Sequence, residues 1–182
     1  MSVSSTSLSA GSFIAMNIAV LTVSDSRTLE TDTSGSLLES LAQEAGHHVV
    51  ARQLVRDNVY ALRALVSQWI FDESVQVIIS TGGTGFTGRD STPEALLPLL
   101  DKEMHGFGEV FRQLSYVDIG TSTIQSRAFG GIANATVIFA LPGSTGAVRL
   151  GWEKIIKAQL DINNKPCNFA ELAPRFREWA RD

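Results

Sequence analysis

Short apolar runs that must be covered on both faces constrain this chain more than any other feature. Residues 18–23 (IAVLTV) and 136–141 (TVIFAL) are continuous and rich in β-branched side chains. Residues 49–55 and 75–80 (VQVIIS) read as two further strands. Without strict polar alternation, such strands belong inside a parallel sheet rather than on a half-wet one. Between them the period changes to that of helices. Leu37, Leu38, Leu41, Ala42 and Ala45 form one stripe ending at Gly46, and Leu62, Leu65, Val66, Trp69 and Ile70 recur at helical spacing. Phe107, Val110, Phe111 and Leu114 mark another helix, as do Ala147, Leu150, Ile155 and Ala158. Alternating strands and helices predict an α/β fold with a mostly parallel sheet covered on both sides.

At 182 residues the chain fits one domain. The expected division is a Ser-rich mobile tail over 1–16, an α/β domain over 17–162, and an irregular extension over 163–182. In that extension Phe169, Leu172, Phe176 and Trp179 must pack somewhere.

In open α/β sheets the ligand crevice lies beyond the carboxyl ends of the strands. The loops at 24–27, 56–58, 81–90 and 142–144 should therefore share one edge. The most informative is the third, with four glycines between 82 and 88 directly after a buried strand. Gly82, Gly83 and Gly85 permit positive φ and let a ligand approach bare amides, while Thr81, Thr84 and Thr87 add hydroxyls. Thr92-Pro93-Glu94 then starts a helix with Thr as N-cap and Pro at N1, completing an anion cradle. A plain surface turn accounts less well for so many glycines there. Residues 83–88 spell G-x-G-x-x-G, but the helix opens too late and follows the third strand, so a dinucleotide fingerprint does not fit. No Walker A sequence occurs.

Asp57 and Asp90 both follow strand ends. Facing a phosphate, two carboxylates repel it unless they share a cation, and Mg²⁺ suits oxygen ligands supplied jointly by carboxylates and phosphates. Each also has a plainer role, Asp57 as a turn or cap before the Tyr60 helix and Asp90 as a turn residue. Glu94 suits the helix dipole. Ser126-Arg127 fits a phosphate contact or a surface salt bridge equally. His47, His48 and His105 lack metal-ligand spacing and read as solvated loop residues. With no His near a nucleophile, a Ser-His-Asp hydrolase finds no support.

The net charge of −4 excludes a broad basic face for nucleic acid, though not a local basic pocket. A single cysteine excludes an internal disulfide and a Cys-rich zinc site, and points to a reducing, cytoplasmic setting. Residues 1–16 carry no Lys or Arg and no sustained apolar run, so neither a signal peptide nor a membrane anchor is expected.

The segments TGGTGFTGRDSTPEAL, GFGEVFRQLS, GTSTIQSRA and ALPGST closely resemble the MoaB/MogA family of molybdenum-cofactor biosynthesis proteins, whose domain also occurs in gephyrin-like and plant Cnx-like proteins. The resemblance runs over about residues 18–160. AQEAGHHVV, EALLPLLDKE and the PCNF tail are nearer the bacterial MoaB branch. It implies a three-layer α/β/α sandwich, with molybdopterin as substrate, ATP as co-substrate and Mg²⁺ as cofactor. The implied reaction gives adenylyl-molybdopterin and pyrophosphate. The family's two metal-binding and catalytic carboxylates fall on Asp57 and Asp90. Its binding motifs fall on Thr81, Gly82, Gly83, Thr84 and Gly85, on Thr92 and Glu94, on Ser126 and Arg127, and on Pro142 and Gly143. Ser24 and Asp25, on the loop after the first strand, join the expected binding set. The chain keeps the Gly-Arg-Asp-Ser-Thr-Pro-Glu form that favours catalytic competence. A homotrimer or homohexamer is implied, with the aromatic-bearing extension over 163–182 as a candidate interface, and with no nucleic acid and no membrane partner. Two alternatives remain open: a non-catalytic scaffold using the same pocket, and a nucleotide hydrolase on the same fold.

Overall fold

The computed structural model describes residues 13–178. A six-stranded sheet in the order β2-β1-β3-β6-β5-β4 forms the middle layer. Its strands are β1 (Asn17–Val23), β2 (His48–Val55), β3 (Val77–Thr81), β4 (Lys102–Glu103), β5 (Phe129–Ala133) and β6 (Thr136–Leu141). β2, β1, β3 and β6 run parallel, whereas β5 and β4 add antiparallel at one edge. The helices are α1 (Thr33–Glu44), α2 (Val59–Phe71), α3 (Thr92–Leu96), α4 (His105–Ile119), α5 (Thr145–Gly151), α6 (Lys157–Gln159) and α7 (Phe169–Leu172). A π-helical turn, Trp152–Ile156, joins α5 to α6.

Alternate residues of each central strand feed opposite cores. Ile18, Val20, Val77, Ile79, Val137 and Phe139 pack with α1, α4 and α5, through Leu38, Phe111 and Val148. Ala19, Leu21, Ile78 and Ile138 pack against α2 and α3, through Leu62, Val66 and Leu96. That split is what a three-layer sandwich requires, and it explains the unbroken apolar runs of β1, β3 and β6.

The antiparallel pair β5/β4 is absent from the sequence reading. β5 reads FGGIA, and glycine usually argues against a strand. Here a side chain is sterically excluded, because a Cβ on Gly131 would lie 2.5 Å from Leu100 Cδ1 and 2.7 Å from the Lys102 carbonyl oxygen. β3 begins at Val77 rather than at residue 75 and extends through Thr81. α3 starts at Thr92 after Ser91 as N-cap, one residue earlier than expected.

Two expectations about the periphery need correction. Met16, assigned to a mobile tail, is 1% exposed. Residues 1–12 and Trp179 lie outside the described residues. His47 is not solvated: it is 4% exposed, accepts a hydrogen bond at Nδ1 from Met16 N at 3.1 Å, and meets Phe13 and Trp152. The C-terminal segment folds back on its own chain, with Ala170 buried and Phe169, Ala173 and Phe176 packed against the same core. Among the described residues no helix is long and apolar enough to cross a membrane.

Candidate functional site

Because β1, β3 and β6 are parallel neighbours, the loops leaving their carboxyl ends emerge side by side. Hydrogen bonds lock them together. Gly82 N donates to Leu141 O at 3.0 Å, Thr81 Oγ1 to Pro142 O at 2.9 Å, and Ser34 Oγ to Gly143 O at 2.8 Å. Gly82 has φ +101 and a Cβ there would lie 2.2 Å from Val23 O, so only glycine fits between the ends of β1 and β6. Gly83, at φ +64, is equally confined. Thr92 is wholly buried and ties the end of this loop to its start, its hydroxyl donating to Gly82 O at 2.8 Å.

These loops enclose a cavity of about 500 Å³. Thr81, Gly82, Gly83, Thr84, Gly85 and Asp90 form one wall, with Ser24, Ser126, Pro142 and Gly143 around it. Thr33-Ser34 and Ser144, at the N-terminal ends of α1 and α5, open onto the same space. Helix N-termini and bare loop amides both favour anions. Phe111, Ala147 and Ile119 add apolar surface to the same lining. A flat heterocycle carrying phosphate suits that mix of surfaces.

Five of the residues expected at the site, Asp25, Asp57, Thr92, Glu94 and Arg127, stand just outside this lining. Asp57 lies behind the glycine loop, its Oδ2 2.6 Å from where a Cβ on Gly83 would stand. Asp90 flanks the same stretch, with Oδ2 2.8 Å from a Cβ position on Gly85. The two acids therefore bracket one short piece of backbone. Asp57 Oδ1 accepts from Ser91 N at 3.1 Å and from the Ser91 hydroxyl. Burial raises the Asp57 pKa, and the neighbouring charges of Asp90 and Asp25 push it the same way, outweighing the bonds from Ser91. Burial acts to raise Asp90 too, but the Thr87 hydroxyl and amide, the Gly85 amide and the charge of Arg127 together hold it below the usual range. Asp25 pairs with Arg89 at 2.8 Å. Glu94 pairs with Arg127, which lowers its pKa.

No group of three or more His, Cys, Asp or Glu side chains able to hold a metal occurs among the described residues. A cation here would rely on one or two carboxylates and complete its shell with water or ligand oxygen, the arrangement Mg²⁺ tolerates. Asp57 fits that description, because like charges beside a half-buried carboxylate are the electrostatic condition a cation relieves.

Asp32, Ser34, Ser122 and Gln125 line the cavity without having been selected from sequence, while Arg27 and Ser144 come from loops expected at this edge. Asp32 carried a readable signal as a helix N-cap: its Oδ1 accepts from Gly35 N at 2.8 Å. Its other oxygen accepts from Thr22 Oγ1 at 2.7 Å and pairs with Arg52 at 3.1 Å, so this buried charge is neutralised beside the cavity. Arg27 is the one cationic side chain in the described lining.

The family model described as “Probable molybdopterin binding domain” matches residues 19–161. Molybdenum cofactor biosynthesis protein B of Escherichia coli K12 is 60% identical over 157 residues, covering 86% of this chain and 92% of that protein. The Bacillus subtilis protein of the same name is 49% identical over 142 residues, covering 78% and 84%. Among solved structures, a molybdenum cofactor biosynthesis protein B superposes with TM-score 0.82 at 41% identity, covering 91% of this chain and 98% of that one. The tungsten cofactor synthesizing protein MoaB from Pyrococcus furiosus gives 0.69 at 33% identity, covering 92% and 98%. With the family model spanning every loop of the cavity and nearly all of the sheet, this chain belongs to the MoaB/MogA family of molybdenum-cofactor biosynthesis proteins.

Proposed function

We propose that the chain acts in molybdenum-cofactor biosynthesis by binding molybdopterin in this cavity and transferring an adenylyl group to it from ATP. The observation that carries the reading is the convergence of the 82–85 backbone, two helix N-termini and an acidic pair on one strand edge. In the reaction, an oxygen of the molybdopterin phosphate forms a bond to the α-phosphorus of ATP. The bond from that phosphorus to the bridging oxygen breaks, and pyrophosphate leaves. No covalent enzyme intermediate is needed, so the residues contribute position and charge.

The amides of Gly83 and Thr84 hold one phosphate group, and the N-termini of α1 and α5 hold negative charge in the same cavity. Thr84, buried at 3% exposure, and Ser34 fix the edges of the polar surface. Phe111 and Ile119 exclude water beside the heterocycle. Asp57 and Asp90 would hold Mg²⁺, whose bound charge offsets phosphate repulsion. Arg27 supplies the remaining positive charge.

Pure protein incubated with molybdopterin, ATP and Mg²⁺ tests this directly, with adenylyl-molybdopterin and pyrophosphate as the expected products. Tight pterin binding without either product would instead favour the non-catalytic scaffold. That alternative draws on one observation: Asp57 is engaged by Ser91 and stands behind the cavity wall.

We also propose self-association, as a homotrimer or a pair of trimers. Tyr116, Val117 and Ile124 stand exposed on and just after α4, Val117 and Ile124 at 81% and 71%. Apolar surface of this kind normally meets a partner. Sedimentation equilibrium giving only the monomer mass would remove the proposal.

A further inference from the structure

We infer that Arg127 is a positioning residue: it braces the 84–90 loop so that Asp90 is presented at the cavity wall, and it does not itself hold a ligand phosphate. The inference rests on the adenylyl-transfer reading for its consequence, but not for its geometry.

The guanidinium is committed inward. Its Nε donates to Gly85 O at 2.8 Å and one Nη donates to Asp90 O at 3.0 Å. The other Nη pairs with the Glu94 carboxylate. Its Cζ lies over the Phe86 ring, 5.1 Å from the centroid, and the Arg127 amide donates to Thr84 O at 3.1 Å. One side chain from the segment before β5 therefore grips both ends of the loop and the helix that follows it.

Beyond Arg127, among the described residues, the 84–90 loop is tied outward only at its far end, by the exposed Arg89–Asp25 pair and through the neighbouring Ser91, which bonds Asp57. Phe86 is 70% exposed, and residues 87–89 are exposed as well. Thr87 N and Oγ1 donate to Asp90 Oδ2 at 2.8 and 2.6 Å, which fixes the carboxylate relative to its own turn. Arg127 fixes the turn relative to the sheet. The cavity lining includes Ser126 but not Arg127, in keeping with a group that acts from behind the wall. Lysine cannot take over, because a single ammonium lacks the planar fork and the stacking face.

The test uses full-length Arg127→Met and Arg127→Lys with three readouts. Hydrogen exchange of amides 85–90 in the ligand-free protein should accelerate in both variants. Mn²⁺ affinity in the presence of ATP, followed by electron paramagnetic resonance, should fall roughly ten- to a hundredfold, as for loss of a group that orients a metal ligand. Pyrophosphate affinity without metal, in excess chelator, should stay unchanged. Unaltered exchange, full rescue by lysine, or loss of metal-free pyrophosphate binding equal to the loss of Mn²⁺ binding would each overturn the assignment. If neither variant folds, Phe86→Ala removes only an exposed ring, and faster exchange over 85–90 is again required. Failure of the wild type to make adenylyl-molybdopterin would sink the proposed reaction while leaving the exchange result to judge the brace.

Discussion

The two ends of the same central sheet do opposite things with their polar groups. At the amino ends of β1, β3 and β6, the chain satisfies itself. Asn17 N bonds Gln76 Oε1 at 2.9 Å, Asn17 Nδ2 bonds Ser74 O at 2.9 Å, and Thr136 Oγ1 bonds Val75 O at 3.0 Å. Asn134 Nδ2 reaches Ile70 O at 2.9 Å, and His47 caps the amide of Met16. At the carboxyl ends, glycines replace side chains, and backbone amides with two helix N-termini surround a cavity. One end is closed for stability and the other is left open for a guest. Identical strands serve both, so the division of labour is decided by the loops.

The strongest way to break the open end is Gly82→Ala. Its Cβ would collide with Val23 O at 2.2 Å in a backbone of φ +101, so we expect a stability loss on the order of 3 kcal/mol, read by thermal denaturation. Gly83→Val sits one residue on, where even a Cβ would lie 2.3 Å from Thr92 Oγ1, and it should abolish binding of both ligands in calorimetry. Wild-type affinity would refute the cradle. Asp90→Asn sharpens the comparison, since it removes charge without bulk. Adenylyl transfer should drop roughly a hundredfold, the scale for losing one charge-stabilising contact, while pterin binding survives. Full turnover by that variant would take Asp90 out of the mechanism.

The closed end should respond more mildly. Ala135 occupies the β5–β6 turn at φ 70, a left-handed conformation that favours glycine. Ala135→Gly is expected to stabilise by about 1 kcal/mol, visible as a higher melting temperature, with no change in ligand affinity. The smallest effect is a slope rather than a step. Burial holds the His47 pKa below its ordinary value of 6.5, with Asp161 pulling it up and His48 pushing it down. Below that value the unfolded chain binds the proton more readily than the folded one, so this contribution is complete above 6.5 and fades as pH falls beneath it. His47→Gln keeps an acceptor near Met16 and should flatten that part of the stability–pH curve. An unchanged slope would mean that another group sets it.

Much of the framework was legible because it is written in local periodicity. The runs at 18–23 and 136–141 became β1 and β6 almost residue for residue, since a strand covered on both faces has no polar position to confuse the pattern. β5 and β4 escaped notice for the converse reason. Gly130 and Gly131 carry no hydrophobic signal, and their strand is held by its antiparallel ladder to β6, with Leu100 and the Lys102 carbonyl leaving no room for a side chain on Gly131. Asp57 and Asp90 were selected through the rule that parallel strands discharge their loops at one edge. Asp32 and Ser34 were missed because 24–35 reads as one polar stretch, with nothing local to show which side-chain oxygens turn inward.

Arg127 and His47 mark the boundary between the two kinds of information. Sequence alone determined the residue types, the strand and helix periods, the glycine-rich loop and the family. Only tertiary structure decided that Arg127 spends its donors on the carbonyls of Gly85 and Asp90, and that His47 is sealed beneath Phe13 and Trp152. The physical reason is range. Periodicity records whether a residue faces the core, but a charged side chain is defined by its partners, and those here lie tens of residues away along the chain.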